Sequence, residues 1–281
     1  MLETITGMLS YSFMRRALLA GVLLGLVMPL IGVIVVLKRL SMIGDALSHA
    51  SLAGVATGLI AGFNPVLGAT AACAVASFAV EGIRRRFDDR AELAIAVVMS
   101  AGIGLAGVLS GFVPNAASFN SFLFGSIVTV SDAELWGVVG IAVAVLVACV
   151  ALRRQLFLVT LDERAARLAG VRVRLIDALF VLMCALVVSV AARTVGALMV
   201  AGMMVVPVAC ALQLARSWRQ TILVACCVGV MSSTAGLIVS FEVGLKPGGT
   251  IVLLAVALLV VIVLAKACAH GLRARTTGWR G

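Results

Sequence analysis

Charged residues are scarce in this sequence. Asp, Glu, Lys and Arg together make up 12% of its 281 residues, hydrophobic residues make up 63%, and the mean hydropathy is +1.22. So few polar residues cannot cover a surface that faces water, so the solvent around most of the protein must be lipid. This composition excludes a soluble globular protein and predicts an integral membrane protein.

Several functional motifs are also missing. No G-x-x-x-x-G-K-[ST] motif occurs, and none of the three lysines follows a glycine, so the phosphate-binding loop of an ATPase is absent. The seven cysteines form no C-x-x-C pair and lie mostly in apolar runs, where thiols behave as small hydrophobes. Only His49 and His270 could supply imidazole, which is a poor ligand set for a membrane-embedded metalloenzyme. We therefore predict no disulfide framework and no enzymatic activity in this chain.

Long apolar runs fill most of the chain. A membrane-spanning helix needs about 20 apolar residues. Nine stretches qualify: 14–37, 44–62, 65–83, 92–112, 133–152, 175–192, 194–214, 220–241 and 248–267. If residues 8–37 enter the membrane obliquely, eight spans remain. The sequence thus predicts an all-α fold, a polytopic transmembrane bundle of 8 to 9 spans that forms a single domain over residues 1–281.

The basic residues, which give a net charge of +10, cluster between these runs. With nine spans and the C-terminus inside, 18 of the 22 basic residues lie on the cytoplasmic side, as the positive-inside rule requires. The four exceptions are Arg15, Arg16, Arg193 and Lys246. Residues 268–281 then form a basic cytoplasmic tail, in which His270 is an ordinary surface histidine. Topology and anionic lipid explain the positive charge, so we expect membrane lipid and no nucleic acid as a partner.

One long basic loop, residues 153–174, separates the fifth and sixth spans. Its Thr160-Leu161-Asp162-Glu163 segment has the form of a capping box, which predicts a helix that starts after Thr160. Gly170 is suited to end that helix. Leu161, Ala165 and Leu168 would share one face, so the helix is amphipathic. It could fit a groove on a soluble partner or rest on lipid headgroups, and the residues favour neither interpretation.

The segment "GDALSHA", residues 44–50, places an acid and an imidazole inside an apolar stretch. On a helix, Asp45 and His49 lie on one face about 6 Å apart, so both can bind one small cation. This ligand pair suits zinc, manganese or ferrous iron better than calcium. Water, backbone carbonyls or a second subunit would complete the shell. The alternative is that the two residues only fix helix packing or lie at the headgroup level near Lys38 and Arg39.

Two prolines fall inside long apolar segments, in "GLVMPLIGV" and "AGMMVVPVA". Spans broken by proline in both halves of a transporter often flank the substrate path, which makes Pro29 and Pro207 candidate kinks at the pathway. Ordinary proline kinks are the equally good alternative, since prolines are common in membrane helices.

Five segments together resemble a known family. They are "LKRLSMIGDALSHASLAGVATG" (37–58), "LFGSIVTVS" (123–131), "VTLDERAARLAGV" (159–171), "TVGALMVAGMMVVPVACA" (194–211) and "GLKPGGTIVLL" (244–254). In this order they are similar to the signature segments of the permease subunits of bacterial ABC importers for zinc, manganese or iron. The resemblance covers nearly the whole chain.

This resemblance implies a homodimer in the bacterial cytoplasmic membrane that alternates access at its axis. It also implies a cytoplasmic ATPase, which would hold ATP and Mg, and an extracytoplasmic metal-binding protein. The transported ion would be zinc or manganese, or else iron, with no permanently bound cofactor. An ATP-independent metal channel or facilitator and a cobalamin or siderophore permease are the alternatives. A bulky organic substrate, however, gives no reason for an Asp/His pair on one helix face.

By the same resemblance, individual residues receive roles. Asp45, Ser48 and His49 match the metal pathway. The helix at 160–170 matches the coupling helix that contacts the ATPase, through Thr160, Asp162, Glu163, Ala165, Ala166 and Gly170. Several relatives carry an aspartate where this chain has Leu245, followed by Lys246. Glu242 is the candidate substitute for that acid.

Overall fold

The fold, seen in a computed structural model, is described for residues 11–87, 91–125 and 131–277, with side chains described up to residue 268 except at position 133. Every regular element in these ranges is helical. The helices are α1 (Ser12–Leu37), α2 (Ile43–Ala61), α3 (Pro65–Arg86), α4 (Ala91–Ser110), α5 (Ala116–Phe124), α6 (Asp132–Ala151), α7 (Arg153–Leu161), α8 (Glu163–Leu168), α9 (Val173–Ala191), α10 (Val200–Leu214), α11 (Trp218–Val243) and α12 (Pro247–Thr277). This confirms the all-α prediction.

Eight helical segments in the described ranges are long and apolar enough to cross a membrane. One of them, Val173–Leu214, has 42 residues and includes both α9 and α10. A straight helix of that length would measure about 63 Å, roughly twice the thickness of the hydrocarbon core. The backbone instead breaks between α9 and α10, in a π-helical turn (Ala192–Gly196) followed by a 3₁₀ turn (Ala197–Met199).

Contacts at the two ends of the bundle show that the chain reverses at this break. Asp177, near the start of α9, pairs with Lys38 after the end of α1. Arg193, in the break, pairs with Glu134 in the first turn of α6 at 2.9 Å. At the start of α11, Trp218 packs edge-on against Phe157 of α7, with 5.2 Å between the ring centroids. The segment therefore crosses the bundle twice, and both predicted spans, 175–192 and 194–214, are present as antiparallel helices.

We call the end of the bundle that holds Lys38, Arg84 and Trp218 the basic end, and the end that holds Glu134, Arg193 and Lys246 the far end. Helix α12 starts at the far end, and its Lys266 donates to the carbonyl of Gln213 at the end of α10. Because α10 ends at the basic end, α12 runs towards the basic end as well. Its terminal part includes residues 268–277 of the predicted tail, and the side chain of His270 lies outside the described residues.

Helix α2 is the central element, in contact with α3, α4, α5, α9 and α10. Small residues allow these approaches. A Cβ atom at Gly54 of α2 would lie 2.2 Å from the carbonyl oxygen of Gly68 in α3, and a Cβ at Gly68 would lie 2.3 Å from that of Gly54. In lipid, the hydrophobic effect does not drive helices together, so close backbone contact supplies much of the packing energy.

The α7–α8 region corrects one prediction from the sequence. Thr160 does not cap a helix: it lies inside α7, and its hydroxyl donates to the carbonyl of Leu156 at 2.6 Å. Asp162 is the N-cap instead, since its carboxylate accepts from the N–H groups of Arg164 and Ala165 at 2.8 and 3.1 Å. Aspartate is the better N-cap residue, so the helix starts at Glu163.

The predicted end of α8 is confirmed. Gly170 has a φ of +79°, its N–H donates to Arg167, and the N–H of Val171 donates to Ala166. These two bonds form a Schellman motif, in which glycine takes the left-handed conformation at little cost.

The two prolines lie inside continuous helices, Pro29 in α1 and Pro207 in α10, and both are buried. The ring of Pro29 packs against Gly229 of α11. Neither proline ends its helix. The break in the helical backbone between residues 173 and 214 lies at 192–199, where the sequence contains no proline.

Candidate functional site

Helix α2 is buried over its first three to four turns, Ile43 to Ala56, with one opening in that stretch. From Ile43 to Ala56, every residue is buried except Asp45 and His49, which are both half-buried. The two side chains are four residues apart and therefore share one face of the helix. The acid and the imidazole thus form a polar strip on a helix whose other faces are covered by neighbouring helices.

The depth of this strip follows from α4. Gly102, near the middle of α4, lies against the backbone of α2, since a Cβ atom there would be 2.9 Å from the nitrogen of Ala50 and 3.1 Å from the carbonyl carbon of His49. His49 therefore lies near the middle of the bundle, and Asp45 lies one turn nearer the basic end. At that depth an ionisable side chain is costly unless it faces a partner or an aqueous path.

The other predicted pathway residues lie elsewhere. Ser48 is buried, and its hydroxyl donates to the carbonyl of Asp45 at 2.9 Å, so it contacts the helix backbone. Glu242 is exposed in the last turn of α11, at the far end. The structure therefore brings Asp45 and His49 together and leaves Glu242 at a different depth.

Asp45 and His49 form a two-ligand arrangement. Over residues 11–87, 91–125 and 131–277, no group of three or more His, Cys, Asp or Glu side chains is placed to hold a metal ion. A carboxylate and an imidazole bind a divalent transition metal only weakly unless water, carbonyls or another chain complete the shell. This donor set suits brief occupancy better than permanent binding.

A cavity of about 400 Å³ lies on the basic-end side of this strip, between α1, α2 and α4. Its lining includes Arg39, Met42 and Glu92. Met42 is three residues before Asp45, so the cavity begins about one helical turn from the acid. Arg39 has a φ of +58°, which is unusual for a residue with a side chain.

A buried charged cluster, which no pattern in the sequence predicted, lies at the basic end. Asp177 of α9, with 3% of its side chain exposed, pairs with Lys38 and with Arg84 of α3, the latter at 2.8 Å. Arg84 also pairs with Glu81 at 3.2 Å, and Lys38 lies 3.6 Å from Glu163 of α8. One signal was available in the sequence: Asp177 is an acid near the start of an otherwise apolar run.

The far end has its own charged contacts, which explain three of the four basic residues outside the main clusters. Arg16 pairs with Asp132 at 2.8 Å, and Arg193 pairs with Glu134 and lies 4.6 Å from the centre of the Phe122 ring. The ammonium of Lys246 lies 3.6 Å from the centre of the Phe124 ring. Each of these three basic side chains has a partner nearby. Their presence is therefore consistent with the far end being the end that carries few basic residues.

Two glycines from separate signature segments also meet at the far end. Gly125 after α5 and Gly196 in the break have φ values of +77° and +99°. A Cβ atom at Gly125 would lie 2.4 Å from the carbonyl carbon of Val195, and one at Gly196 would lie 2.3 Å from that of Phe124. Both positions require glycine, because of conformation and because of space.

These crossings define a polytopic membrane protein, whose central helix opens only at an acid and an imidazole between Ile43 and Ala56. Comparison with known proteins gives the family. The model of the ABC 3 transport family matches residues 10–266, and the chain belongs to this family.

Curated relatives and a solved structure agree. The chain is 35% identical over 262 residues to the "Probable metal transport system membrane protein" of Treponema pallidum (strain Nichols), covering 91% of this chain and 96% of that protein. It is 31% identical to the manganese import system permease protein ScaB of Streptococcus parasanguinis, covering 89% of this chain and 90% of ScaB. The structure of PsaBC from Streptococcus pneumoniae in complex with Fab is similar with a TM-score of 0.83 and 27% identity, covering 93% of this chain and 94% of that one.

Proposed function

We propose that this protein is the membrane permease of an ATP-driven importer of divalent transition metal ions, with manganese as the first candidate and zinc as the second. The observation that carries the proposal is the opening of α2, where Asp45 and His49 alone interrupt the buried surface between Ile43 and Ala56. The names of the relatives, which include manganese import permeases, support manganese. Iron remains within the range of metals that this ligand pair accepts.

The chemistry of the pair suits transport. A carboxylate neutralises part of the charge of a divalent ion, and an imidazole adds a nitrogen ligand that calcium and magnesium do not favour. A transport site must also release its ion, and two protein ligands leave room for water to compete. The ion is thus bound long enough to be selected and weakly enough to leave.

A second copy of the chain would complete the site. The strip on α2 is open in the single chain, while the other faces of α2 are covered by five helices. If two copies pack with these strips facing a common axis, two acids and two imidazoles line one passage. Alternating access then consists of opening this passage first towards one end of the bundle and then towards the other.

The orientation follows from charge. We place the basic end in the cytoplasm, as the positive-inside rule favours, which puts the C-terminus of α12 there as well. The loop at 153–174 then faces a cytoplasmic ATPase, which would hold ATP and Mg. Leu168 of α8 is 91% exposed and so is available to a groove on that subunit. Thr160, Asp162, Glu163, Ala165, Ala166 and Gly170 would shape this contact.

An extracytoplasmic metal-binding protein would dock at the far end, near Glu242. Thus placed, the whole chain acts as one permease domain in the bacterial cytoplasmic membrane, with residues 268–281 as its cytoplasmic tail. Energy comes from the partner ATPase, since the sequence contains no G-x-x-x-x-G-K-[ST] motif.

The test is metal uptake by liposomes that contain the permease and its cognate ATPase, with the binding protein added outside. ATP-dependent manganese uptake is expected, and it should fall at least about tenfold in Asp45→Asn and His49→Ala, because each removes a ligand of a two-ligand strip. Thr57→Val is the matched control, since Thr57 is exposed on the same helix and its hydroxyl donates to the carbonyl of Ala53.

Two results would contradict the proposal. Uptake by the permease alone, unaffected by ATP or the ATPase, would indicate a channel or facilitator. Full uptake in both Asp45→Asn and His49→Ala would remove the metal pathway from α2, whatever the energy source.

A further inference from the structure

The charged cluster at the basic end connects four helices through Asp177 and Lys38. We define the Asp177 cluster as Lys38, Glu81, Arg84, Glu163 and Asp177. Asp177 belongs to α9, Arg84 and Glu81 to α3, Lys38 to the end of α1, and Glu163 to the first turn of α8. Each carboxylate oxygen of Asp177 accepts from a different residue: Oδ1 from Lys38 and Oδ2 from Arg84.

Stability alone is a weak reason for such a cluster. Buried ion pairs often contribute little net stability, since desolvation offsets their attraction, yet loss of one partner leaves a charge that is hard to accommodate. Side-chain exposure is 7% for Lys38, 3% for Asp177, 12% for Arg84 and 34% for Glu163. Together with Glu81, at 8%, the side chains of Asp177, Lys38 and Arg84 form the buried part of the cluster, while Glu163 connects it to the surface helix α8.

Lys38 places this arrangement next to the proposed metal strip. Only residues 39–42 separate it from α2, whose first turn contains Asp45. That connection is tight: the N–H of Arg39 donates to Val36 at 3.1 Å and the N–H of Leu40 donates to Val35 at 2.8 Å. With Arg39 in the left-handed conformation, these two bonds form a Schellman motif that ends α1 and leaves only a short, hydrogen-bonded turn before α2.

Glu163 has room to change its position. A cavity of about 310 Å³ lies beside it, and Lys38, Arg84 and Thr160 also line that cavity. On the other side of Glu163, Arg167 of the same helix lies 3.6 Å away. Glu163 therefore lies within ion-pair distance of Arg167 in α8 and of Lys38 at the end of α1, and Arg84 of α3 is close enough to attract it electrostatically.

We infer that Glu163 and Lys38 are positioning residues that link α8 to α2: movement of α8 shifts Lys38 through their ion pair, and Lys38 shifts the start of α2 and therefore Asp45. Asp177 stays in place when Lys38 moves, because Asp177 is also paired with Arg84. This inference rests on the proposed function, in which α8 contacts the ATPase and Asp45 contacts the ion.

The first test separates transport from ATP hydrolysis. In liposomes with the binding protein and enough ATPase to saturate the permease, Glu163→Gln should lower the number of metal ions moved per ATP hydrolysed about fivefold. Arg167→Gln is the matched control, because it removes the other partner of Glu163 and leaves the link to Lys38 intact. An unchanged ratio in Glu163→Gln, or a parallel fall of hydrolysis and uptake, would overturn the inference.

A second pair of variants probes the other side of the link. Lys38→Met should lower the same ratio, and Lys38→Arg should restore it, because a guanidinium can still reach both carboxylates. If Lys38→Met purifies with normal thermal stability and moves as many metal ions per ATP as the parent protein, the proposed link between α8 and α2 is refuted. A parent protein without ATP-dependent uptake would instead refute the proposed function, so the two failures are distinguishable.

Discussion

Gly102 of α4 lies directly behind His49 of α2, so close that a Cβ atom at position 102 would be 3.1 Å from the carbonyl carbon of His49. The nearest atoms belong to the backbone of α2, which cannot rotate away as a side chain can. The position of the imidazole in the bundle thus depends on the absence of a side chain on the neighbouring helix.

Gly102→Ala should therefore impair metal uptake with no change in the ligands themselves. The added methyl group forces α2 and α4 apart, and overpacking of this kind costs about 1 to 3 kcal/mol. Gly104→Ala is the control, since a Cβ at position 104 meets no atom within 4 Å. Uptake and thermal unfolding of the purified protein measure the effect, and equal behaviour of the two variants would contradict it.

Asp162→Ala should weaken association with the ATPase. Removal of an N-cap carboxylate costs about 1 kcal/mol of helix stability, which is large relative to the small stability of a helix of 6 residues. Thr160→Val provides the comparison, because Thr160 lies inside α7 and its hydroxyl bonds only to the preceding turn. Binding of the purified ATPase to permease in nanodiscs measures the difference. A stronger effect of Thr160→Val would favour the capping box that the sequence predicts.

Arg193→Met should destabilise the far end. It removes the guanidinium 2.9 Å from Oε1 of Glu134, a side chain that is 23% exposed, while Oε2 still accepts from the N–H of Ser131, so we expect a loss near the lower end of about 1 to 3 kcal/mol. Glu134→Gln in the same background should recover part of the loss, which a double-mutant cycle on thermal unfolding resolves. Arg15→Met, at an exposed position, serves as control. Additive losses for positions 193 and 134 would show that the pair is not coupled.

His49→Asp should change which metal is carried. Replacing the imidazole by a second carboxylate favours manganese, which accepts oxygen ligands, over zinc, which prefers nitrogen or sulfur. We expect the ratio of manganese to zinc uptake to rise about tenfold in competition experiments with both isotopes. The binding protein must be omitted or saturated with each metal in turn, so that its own selectivity does not dominate. An unchanged ratio would indicate that His49 does not contact the ion.

Much of the architecture was predictable because it depends on local chemistry. Apolar runs of about 20 residues locate the spans, and the basic clusters indicate which end of the bundle they share. The sequence predicted the division between the spans 175–192 and 194–214 but not its form, a π-helical turn followed by a 3₁₀ turn, and a count by length and composition merges α9 and α10 into one segment. The contacts of Asp177, Arg193 and Trp218, which alternate between the two ends of the bundle, show the reversal.

The sequence by itself determined the composition that requires lipid, the helical spans, the glycine that ends α8, and the spacing that places Asp45 and His49 on one face. These follow from hydrophobicity and helix periodicity, which act over a few residues. The tertiary structure decided that this face is the one opening of α2 between Ile43 and Ala56, and that Lys38 meets Asp177 across 139 positions. Such relations depend on how distant helices pack, because burial and pairing at membrane depth are set by neighbours that no local pattern specifies.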